Sequence, residues 1–494
     1  MKYLLGIDFG GGSSKATLLA DDGKIVADSS LEYPTLYPKT GWTEQNPDDW
    51  FNAACGNIKN VLNKSGINSD DISAISLDAA THTAVIMDEN FNVLRPSIYW
   101  TDTRSTQEVE YLKKNYLDVI KSQVLHNPDT IWTLPELLWV KNNEPEIWKK
   151  VRKIVFAKDY VRHKLTGDYV TDFIEAEGSM LFDFKTMDWS KELCDILEID
   201  TEMLPKLVKP TDIAGTITKE ASEITGLAEG TPVLCGTTDT VMEVFASGAI
   251  KEGQMTLKLA TAGRICVVTD KPYPDTNIIN YSHVIDGLYY PGTATKSCAA
   301  SYRWYRDTFG GDYKELDNGA SKISVGSDGL VFHPYLNGEL TPYANPRLCA
   351  DFIGVRASHT KAHFTRAVLE GVAMSMLDCC TALDELGIPH DKEAVIIGGG
   401  GKSPLWRQIV SDALGMTFIE KRYSDSSLGS AMLAGVAIGM FESPVAAVEL
   451  CNETISKTVP NPQNTEKYDK LFKKYKAAQR AMEIIYNDED FSVC

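Results

Sequence analysis

Short apolar runs that end in glycine or aspartate alternate with longer amphipathic stretches along this chain. Residues 4–9 form an apolar run in which Asp8 is the one charged position, and the run is short enough to be a buried strand. A second apolar run, at 16–20, ends in a polar turn and is followed by a third at 25–27, which predicts hairpin strands. Because strand-like and helical patterns alternate over the whole length, the sequence predicts an α/β protein.

Apolar residues at helical spacing predict the main helices. In the first half such stretches cover residues 46–64, 106–123, 134–151 and 158–166. In the second half a long amphipathic helix begins near His359, a strand follows at 394–397, and a further helix begins at about Pro404 after a run of glycines. The charged stretch 466–485 predicts a solvated helix that covers the C-terminal half.

The organisation of the chain points to two domains. A chain of 494 residues is too long for one hydrophobic core. Each half opens with a strand that leads into a turn of small residues, at 6–15 and at 256–263, although pieces this short do not establish a repeat. A turn-rich break at 248–253 separates the halves, so the predicted domains are 1–247 and 248–494.

The composition of the chain indicates which kinds of binding partner and which cellular compartment to expect. The net charge of −19 argues against nucleic acid and anionic membranes as partners. The sequence shows no run of 18 apolar residues and no basic-plus-apolar signal at its start, so neither a membrane protein nor a secreted one is expected. Ten cysteines without C-x-x-C spacing favour a reducing cytosol, so the predicted location is cytoplasmic.

Asp8 and the turn that follows it are the first candidate for chemistry. A buried carboxylate is costly unless something compensates its charge, and a metal–phosphate pair would do so. Gly10, Gly11 and Gly12, followed by two serines, let backbone N–H groups and hydroxyls approach an anion closely. The alternative is an ordinary hairpin turn with an aspartate at its edge. Neither the P-loop nor the dinucleotide-binding glycine spacing occurs here.

Asp239 is the second carboxylate of interest, since it follows another short apolar strand and a small polar turn. Phosphoryl transfer to an alcohol needs a base for the hydroxyl proton and a metal for the phosphates, and Asp239 and Asp8 could divide these tasks. The alternative is that Asp239 caps the helix predicted at 241–247, a position where aspartate is favoured. The two interpretations are compatible if the cap position faces a cleft.

Four consecutive glycines at 398–401 form the third candidate. A tight turn needs one or two glycines, so the run favours backbone that lies against a phosphate or a flat ligand such as a nucleotide.

Two further segments carry polar side chains suited to a sugar. His82 lies in a loop between strands predicted at 72–77 and 84–87, where it would bind a polyol or serve as an ordinary loop residue. Trp100, Asp102 and Arg104 combine an aromatic face, a carboxylate and a guanidinium within five residues. An internal Asp–Arg ion pair accounts for this last group equally well.

Six segments, taken in order along the chain, resemble the motifs of the FGGY carbohydrate kinases, and among these the xylulokinases. They are the phosphate turn 6–15, Trp100-x-Asp102-x-Arg104, Lys158-Asp159-Tyr160 with Leu165-Thr166-Gly167, Gly236-x-x-Asp239, the signature 352–371, and the glycine turn with Ser403-Pro404-Leu405-Trp406. Each match is weak by itself, but six in the family's order make coincidence implausible.

The resemblance implies two ribonuclease-H-like domains of the actin/hexokinase kind, with the active site in the cleft between them. It implies ATP, Mg²⁺ and transfer of the γ-phosphate to a hydroxyl of a small-molecule sugar, with Asp239 as base and Asp8 at the metal. The phosphate-binding residues it implies are Gly11, Gly12, Ser13, Lys15 and Thr261; the adenosine-binding ones are Gly399, Gly400 and Ser403; the sugar-binding ones are Thr81, His82, Trp100, Asp102, Arg104, Asp239 and Thr240. Many relatives form homodimers, but the sequence shows no interface signal.

The departures from the xylulokinase pattern concern the sugar. The family's Q-M-H-G reads Ala80-Thr81-His82-Thr83 here, Thr240 replaces the asparagine after the catalytic aspartate, and Leu340 replaces the arginine of G-E-R-T-P. Lost hydrogen-bonding groups change which hydroxyl pattern a site accepts. D-Xylulose is the first expectation for the acceptor, with other ketoses, polyols or sugar acids as alternatives. A non-catalytic nucleotide-binding sensor and an actin-like filament protein are more distant ones.

Overall fold

A computed structural model describes residues 1–274 and 276–488. The strands in these ranges are β1 (Tyr3–Phe9), β2 (Ser13–Ala20), β3 (Ile25–Glu32), β4 (Glu44–Gln45), β5 (Ile72–Ala79), β6 (Ala84–Met87), β7 (Ser97–Ile98), β8 (Lys153–Phe156), β9 (Val170–Asp172), β10 (Phe182–Asp183), β11 (Asp188–Trp189), β12 (Lys206–Val208), β13 (Ile213–Thr216), β14 (Pro232–Leu234), β15 (Thr237–Thr238), β16 (Met255–Leu259), β17 (Gly263–Val267), β18 (Gly292–Thr295), β19 (Val331–His333), β20 (Asp351–Ile353), β21 (Glu393–Ile397), β22 (Thr417–Lys421) and β23 (Thr454–Thr458).

The helices in the same ranges are α1 (Pro47–Ser65), α2 (Thr106–Asn115), α3 (Leu117–Gln123), α4 (Thr133–Asn143), α5 (Pro145–Trp148), α6 (Ala157–Thr166), α7 (Phe173–Gly178), α8 (Lys191–Leu197), α9 (Lys219–Thr225), α10 (Asp239–Ser247), α11 (Ala299–Phe309), α12 (Tyr313–Ala320), α13 (Lys361–Glu385), α14 (Pro404–Leu414), α15 (Ser426–Ala437), α16 (Pro444–Cys451) and α17 (Pro462–Asn487). None of them is long and apolar enough to cross a membrane.

Two mixed sheets with the same strand arrangement form the framework. The first has the order β13-β14-β5-β1-β2-β3, with β15 also paired to β5, and the second has the order β18-β17-β16-β21-β22-β23. In each sheet an antiparallel three-strand meander (β1–β3 or β16–β18) is joined through its first strand to a parallel strand, β5 or β21. The two strand–turn segments that looked alike in sequence therefore occupy equivalent places in the two sheets.

The first sheet brings the carboxyl ends of three strands to one edge. β1 and β5 run parallel and place Asp8 beside Asp78, while β15 pairs Thr237 with the same Asp78. Ligands of open α/β sheets bind at the carboxyl ends of the strands. Since α10 begins directly after β15, its first turn lies at this edge as well.

Helix α15 comes from the second half of the chain but packs on the first sheet. The Oγ atoms of Thr17 and Ser427 lie 2.8 Å apart, and Ser430 donates a hydrogen bond of 2.5 Å to Asp78 Oδ2. A Cβ atom on Gly6 would approach the Ala431 nitrogen to 2.6 Å, so this crossing requires glycine. The two halves therefore meet through close, largely apolar packing beside the carboxylates.

Three predicted helices differ from the observed ones. The stretch 106–123 is two helices, α2 and α3, because the backbone at Tyr116 leaves the helical region (φ −133°). The stretch 134–151 breaks into α4 and α5 because the residue before Pro145 is pushed away from helical angles. The C-terminal helix is not simply solvated, since Tyr468 and Tyr475 are fully buried and the Tyr475 hydroxyl lies 2.8 Å from that of Tyr335.

Candidate active site

Asp8 and Asp78 form a pair of adjacent carboxyl groups. Burial raises the pKa of Asp8 to about 7, and the nearby charges of Asp239 and Glu243 contribute in the same direction. Burial, followed by the charge of Asp8, raises the pKa of Asp78 well above its usual range. Two such groups cannot both ionise cheaply, so they hold a shared proton at neutral pH.

The pair has the character of a divalent-cation site. Carboxylate oxygens are the ligands that Mg²⁺ prefers, and a cation would remove the repulsion between the two groups. The Asp78 carboxyl is buried and shares a hydrogen bond with Asp8, so a cation that displaced the shared proton would have both groups as ligands. The donor set at Asp8 and Asp78 therefore fits Mg²⁺.

Asp78 was missed by the sequence analysis. It is a single carboxylate at the end of an apolar run, as Asp8 is, and that pattern was a usable signal. What the sequence could not show is that their two strands are neighbours.

Asp239 does not cap its helix. The N-cap of α10 is Thr238, and Asp239 is the first helical residue. The capping interpretation is therefore wrong, and the carboxylate accepts one side-chain hydrogen bond, of 3.2 Å from Thr240 Oγ1. Burial and the charge of Glu243 raise its pKa to about 6, while Lys258, which contacts Glu243 at 2.6 Å, opposes the rise. A carboxylate with this pKa is well suited to act as a general base near neutral pH.

The first glycine turn joins β1 to β2 as a tight hairpin, so the backbone has the hairpin shape that the alternative interpretation predicted. Gly10 N–H donates to the Ser13 carbonyl at 3.0 Å, and the Gly11 carbonyl accepts from Gln45 Nε2 at 2.9 Å. Gly12 is exposed, and a Cβ placed there would meet nothing within 4 Å. Lys15 forms a 2.5 Å ion pair with Asp425 at the start of α15.

The second sheet presents an equivalent turn between β16 and β17. Thr261 is exposed at this turn, and its carbonyl accepts from Cys298 N–H at 3.0 Å, close to the start of α11. The turn is therefore fixed through its backbone while the Thr261 side chain stays accessible.

The glycine run after β21 forms a single 3₁₀ turn, Gly399–Lys402. Gly399 is exposed with no neighbour at its Cβ position, whereas a Cβ on Gly400 would lie 2.9 Å from that of Leu259. Ser403 caps α14 and donates to Asp317 Oδ2 at 2.7 Å. Part of the glycine run is therefore required by packing, and Gly399 is the position open to a ligand.

His82 occupies a strained loop next to the first sheet. Its φ is +53°, a conformation uncommon for residues other than glycine, and its N–H donates to Glu175 while its carbonyl accepts from Thr133 at 2.6 Å. Burial lowers the pKa of the imidazole to about 3, so the ring is neutral. Nδ1 has no partner among the described residues, and Thr81 beside it is half-buried.

Asp102 and Arg104 form the internal ion pair that the sequence left as an alternative, with 2.7 Å between Arg104 Nη2 and Asp102 Oδ2. Arg104 also contacts Glu44 at 2.7 Å and lies 3.8 Å from the ring centroid of Trp42. The exposed member of the motif is Trp100. A role of this segment in sugar binding stays a prediction.

A second group of polar side chains beside Asp239 has no sequence motif. Arg264 on β17 reaches across to the first domain and donates from Nη1 to Thr240 Oγ1 at 3.3 Å. Its guanidinium carbon lies 5.9 Å from the centroid of Tyr290, which stacks on Tyr281 at 5.7 Å. The hydroxyl of Tyr281 is buried and has no hydrogen-bond partner among the described residues, whereas that of Tyr290 hydrogen-bonds to Thr238.

The structure thus brings Asp8, Asp78, Asp239 and Arg264 close enough for their charges to act on one another. Models of the N- and C-terminal domains of the FGGY family of carbohydrate kinases match residues 3–246 and 265–438.

Individual relatives agree with these matches. The chain is 32% identical to a xylulose kinase from Bacillus subtilis over 96% of each chain, and 30% identical to a gluconokinase from the same organism over 98% of this chain and 97% of that one. The crystal structure of ligand-bound xylulose kinase from Lactobacillus acidophilus superposes with a TM-score of 0.92 at 27% identity, covering 98% and 99% of the two chains. The chain therefore belongs to the FGGY family of carbohydrate kinases and is an ATP-dependent phosphotransferase with the two-domain fold that the resemblance implied.

Proposed function

We propose that the enzyme transfers the γ-phosphate of ATP to a hydroxyl of D-xylulose, giving xylulose 5-phosphate, with Asp239 as the general base. The similarity to xylulose kinases supports this acceptor, and other ketoses, polyols and sugar acids are the alternatives. The observation that carries the proposal is the carboxylate of Asp239, which is free of a capping role and whose charge acts both on Asp8 and on Arg264.

Asp239 accepts the proton of the acceptor hydroxyl as its oxygen attacks the γ-phosphorus. The start of α10 favours the ionised carboxylate, and Lys258 does the same from the second sheet. Loss of a general base costs roughly 10²–10⁴ in rate, or about 3–5 kcal/mol.

Mg²⁺ accompanies the nucleotide in this proposal, held by Asp8 and Asp78. A bound Mg²⁺ neutralises charge on the transferring phosphates. The two carboxyls, positioned by neighbouring parallel strands, supply the oxygen ligands, and Ser430 orients Asp78 from α15.

The nucleotide is assigned to the turns of both sheets. Backbone and hydroxyl groups at Gly11, Gly12 and Ser13, together with Lys15 and Thr261, contact the phosphates in this proposal. Gly399 and Gly400 contact the adenosine, and Ser403 supports that turn through its contact with Asp317. Exclusion of water by closure of the cleft would prevent hydrolysis of the nucleotide.

The sugar is assigned to the opposite side of Asp239. His82, Thr81 and Thr240 offer hydrogen-bonding groups, and Trp100 offers an exposed aromatic face, with Asp102 and Arg104 holding that segment in place.

We also place the enzyme in the cytoplasm, where the nine unpaired cysteines of the described chain would stay reduced. A homodimer is the assembly we expect from the family, and sedimentation velocity tests it.

The test is an ADP-release assay with ATP, Mg²⁺ and a panel of ketoses, polyols and sugar acids. Strong turnover with D-xylulose is the expected result. Turnover with another acceptor would support the kinase mechanism but show that D-xylulose is not the acceptor. Binding of ATP without any acceptor-dependent ADP release contradicts the proposal.

A further inference from the structure

Arg264 leaves one edge of its guanidinium without a partner in the acceptor pocket. Nη1 donates to Thr240, whereas Nε and Nη2 are shielded from solvent and have no hydrogen-bond partner in the part of the chain that the structure describes. Buried donors to which nothing is bound cost about 1–3 kcal/mol each, and more when they are charged. A group that accepts two hydrogen bonds at this edge would remove that cost.

The neighbours of Arg264 share this property. His82 Nδ1, both ring nitrogens of His126 and the hydroxyl of Tyr281 are buried, and none has a hydrogen-bond partner among the described residues. Their rings form one wall, in which His126 lies 4.9 Å from Tyr281 and Tyr281 lies 5.7 Å from Tyr290. So many unpaired polar atoms on one wall indicate a polar ligand.

The charge on this wall is positive. Burial lowers the pKa of His82 and of His126 to about 3, so both imidazoles are neutral at pH 7. Burial also raises the pKa of Glu175 well above its usual range and that of Glu177 to about 8, which disfavours a negative charge on either carboxyl. The guanidinium of Arg264 therefore supplies a positive charge on this wall, within reach of the charge of Asp239.

We infer that the enzyme phosphorylates polyhydroxy carboxylic acids, with the carboxylate of the acceptor bound by Nε and Nη2 of Arg264 and a hydroxyl of the acceptor next to Asp239. The two N–H groups lie on the same edge of the guanidinium, and such an edge matches the two oxygens of a carboxylate. A ketose offers only neutral oxygens to this edge, whereas a carboxylate adds an opposite charge to the two hydrogen bonds. This inference rests on the proposed kinase function.

The reaction balances without a further reactant. The acceptor hydroxyl oxygen forms a bond to the γ-phosphorus, the bond from that phosphorus to the β–γ bridging oxygen breaks, and ADP leaves. The hydroxyl proton passes to Asp239, and the acceptor carboxylate takes no part beyond holding the molecule in place.

Matched acceptors test the inference, because each sugar acid has an alditol that differs at the carboxylate. We would measure kcat/KM for D-gluconate against D-glucitol and D-xylonate against xylitol, beside D-xylulose, with the wild-type enzyme, Arg264→Gln and Arg264→Lys. We expect one of the acids to exceed its alditol at least tenfold. Arg264→Gln should lower that ratio by about 100-fold, since a lost buried charge pair costs this much or more. Arg264→Lys, which keeps the charge but loses the two-pronged geometry, should lower the ratio less.

The outcomes separate the inference from the kinase assignment. Turnover of D-xylulose or an alditol, with no turnover of either acid, overturns the inference and leaves the kinase mechanism with Asp239 as base intact. An acid-to-alditol ratio unchanged in both folded variants overturns the assignment to Arg264. If no acceptor is turned over, the proposed function fails. Calorimetric titration then measures whether the pocket beside Arg264 binds gluconate or xylonate. Binding of an acid by the wild-type enzyme that is lost in the Arg264 variants upholds the assignment of the carboxylate to Arg264. Absence of binding overturns that assignment.

Discussion

The Asp8–Asp78 pair predicts an unusual dependence of stability on pH. The pKa of Asp8 is about 7 in the folded protein against 3.8 for an ordinary aspartate, so the folded state holds a proton that the unfolded state releases. Stability from this source is fully present below about pH 4 and is lost as the pH rises toward 7. At about 1.4 kcal/mol per pKa unit, the loss is about 4 kcal/mol, which we assign to the coupled pair rather than to one carboxyl.

Replacement of Asp8 by asparagine removes the part of this loss that comes from Asp8 and from its repulsion of Asp78. Asp8→Asn should therefore gain thermal stability relative to the wild type as the pH rises from 4 to 7.5, by up to about 4 kcal/mol. Differential scanning fluorimetry of both proteins across this range measures it. Asp28→Asn, which changes an exposed aspartate on β3 of the same sheet, is the matched control and should show no such gain. A difference between Asp8→Asn and the wild type that is constant or shrinks with pH refutes the reasoning.

Three further predictions follow from the geometry. Gly6→Val places a side chain against the backbone of α15 and should lower the free energy of unfolding by about 3 kcal/mol or more, whereas Gly12→Ala, in open space, should not; equal midpoints in thermal unfolding contradict this. His82→Asn, which tolerates the left-handed backbone, should raise the acceptor KM about tenfold while the ATP Kd is unchanged; a joint loss of both affinities would exclude a sugar-specific role. Because Asp239 must be ionised and its pKa is about 6, kcat/KM should fall as the pH drops through 6; a flat profile down to pH 5 would contradict it.

Local features were readable from the sequence because they depend on neighbours in the chain. The strand with Asp8, the glycine turn after it and the start of α14 at Pro404 follow from apolar patterning and turn chemistry. The break before Pro145 follows from the same local rules but was missed, since the apolar spacing on either side of it continues unchanged.

Non-local features were not readable. Nothing in the chain around Asp78 says that its strand lies beside β1, and nothing around Ser430 says that α15 returns to the first sheet. The role of Arg264 depends on the same long-range packing, because its partner Thr240 comes from the other half of the chain. Sequence patterns identify strands and turns, whereas pairs of strands are selected by the whole fold.

The central claim is that Asp239 is the base for phosphoryl transfer, and the most direct measurement is acceptor-dependent ADP release by Asp239→Asn. The account predicts that kcat falls by about 10²–10⁴ while ATP is bound with the affinity of the wild type. Asp28→Asn should turn over like the wild type. Turnover by Asp239→Asn at the wild-type rate would contradict the account.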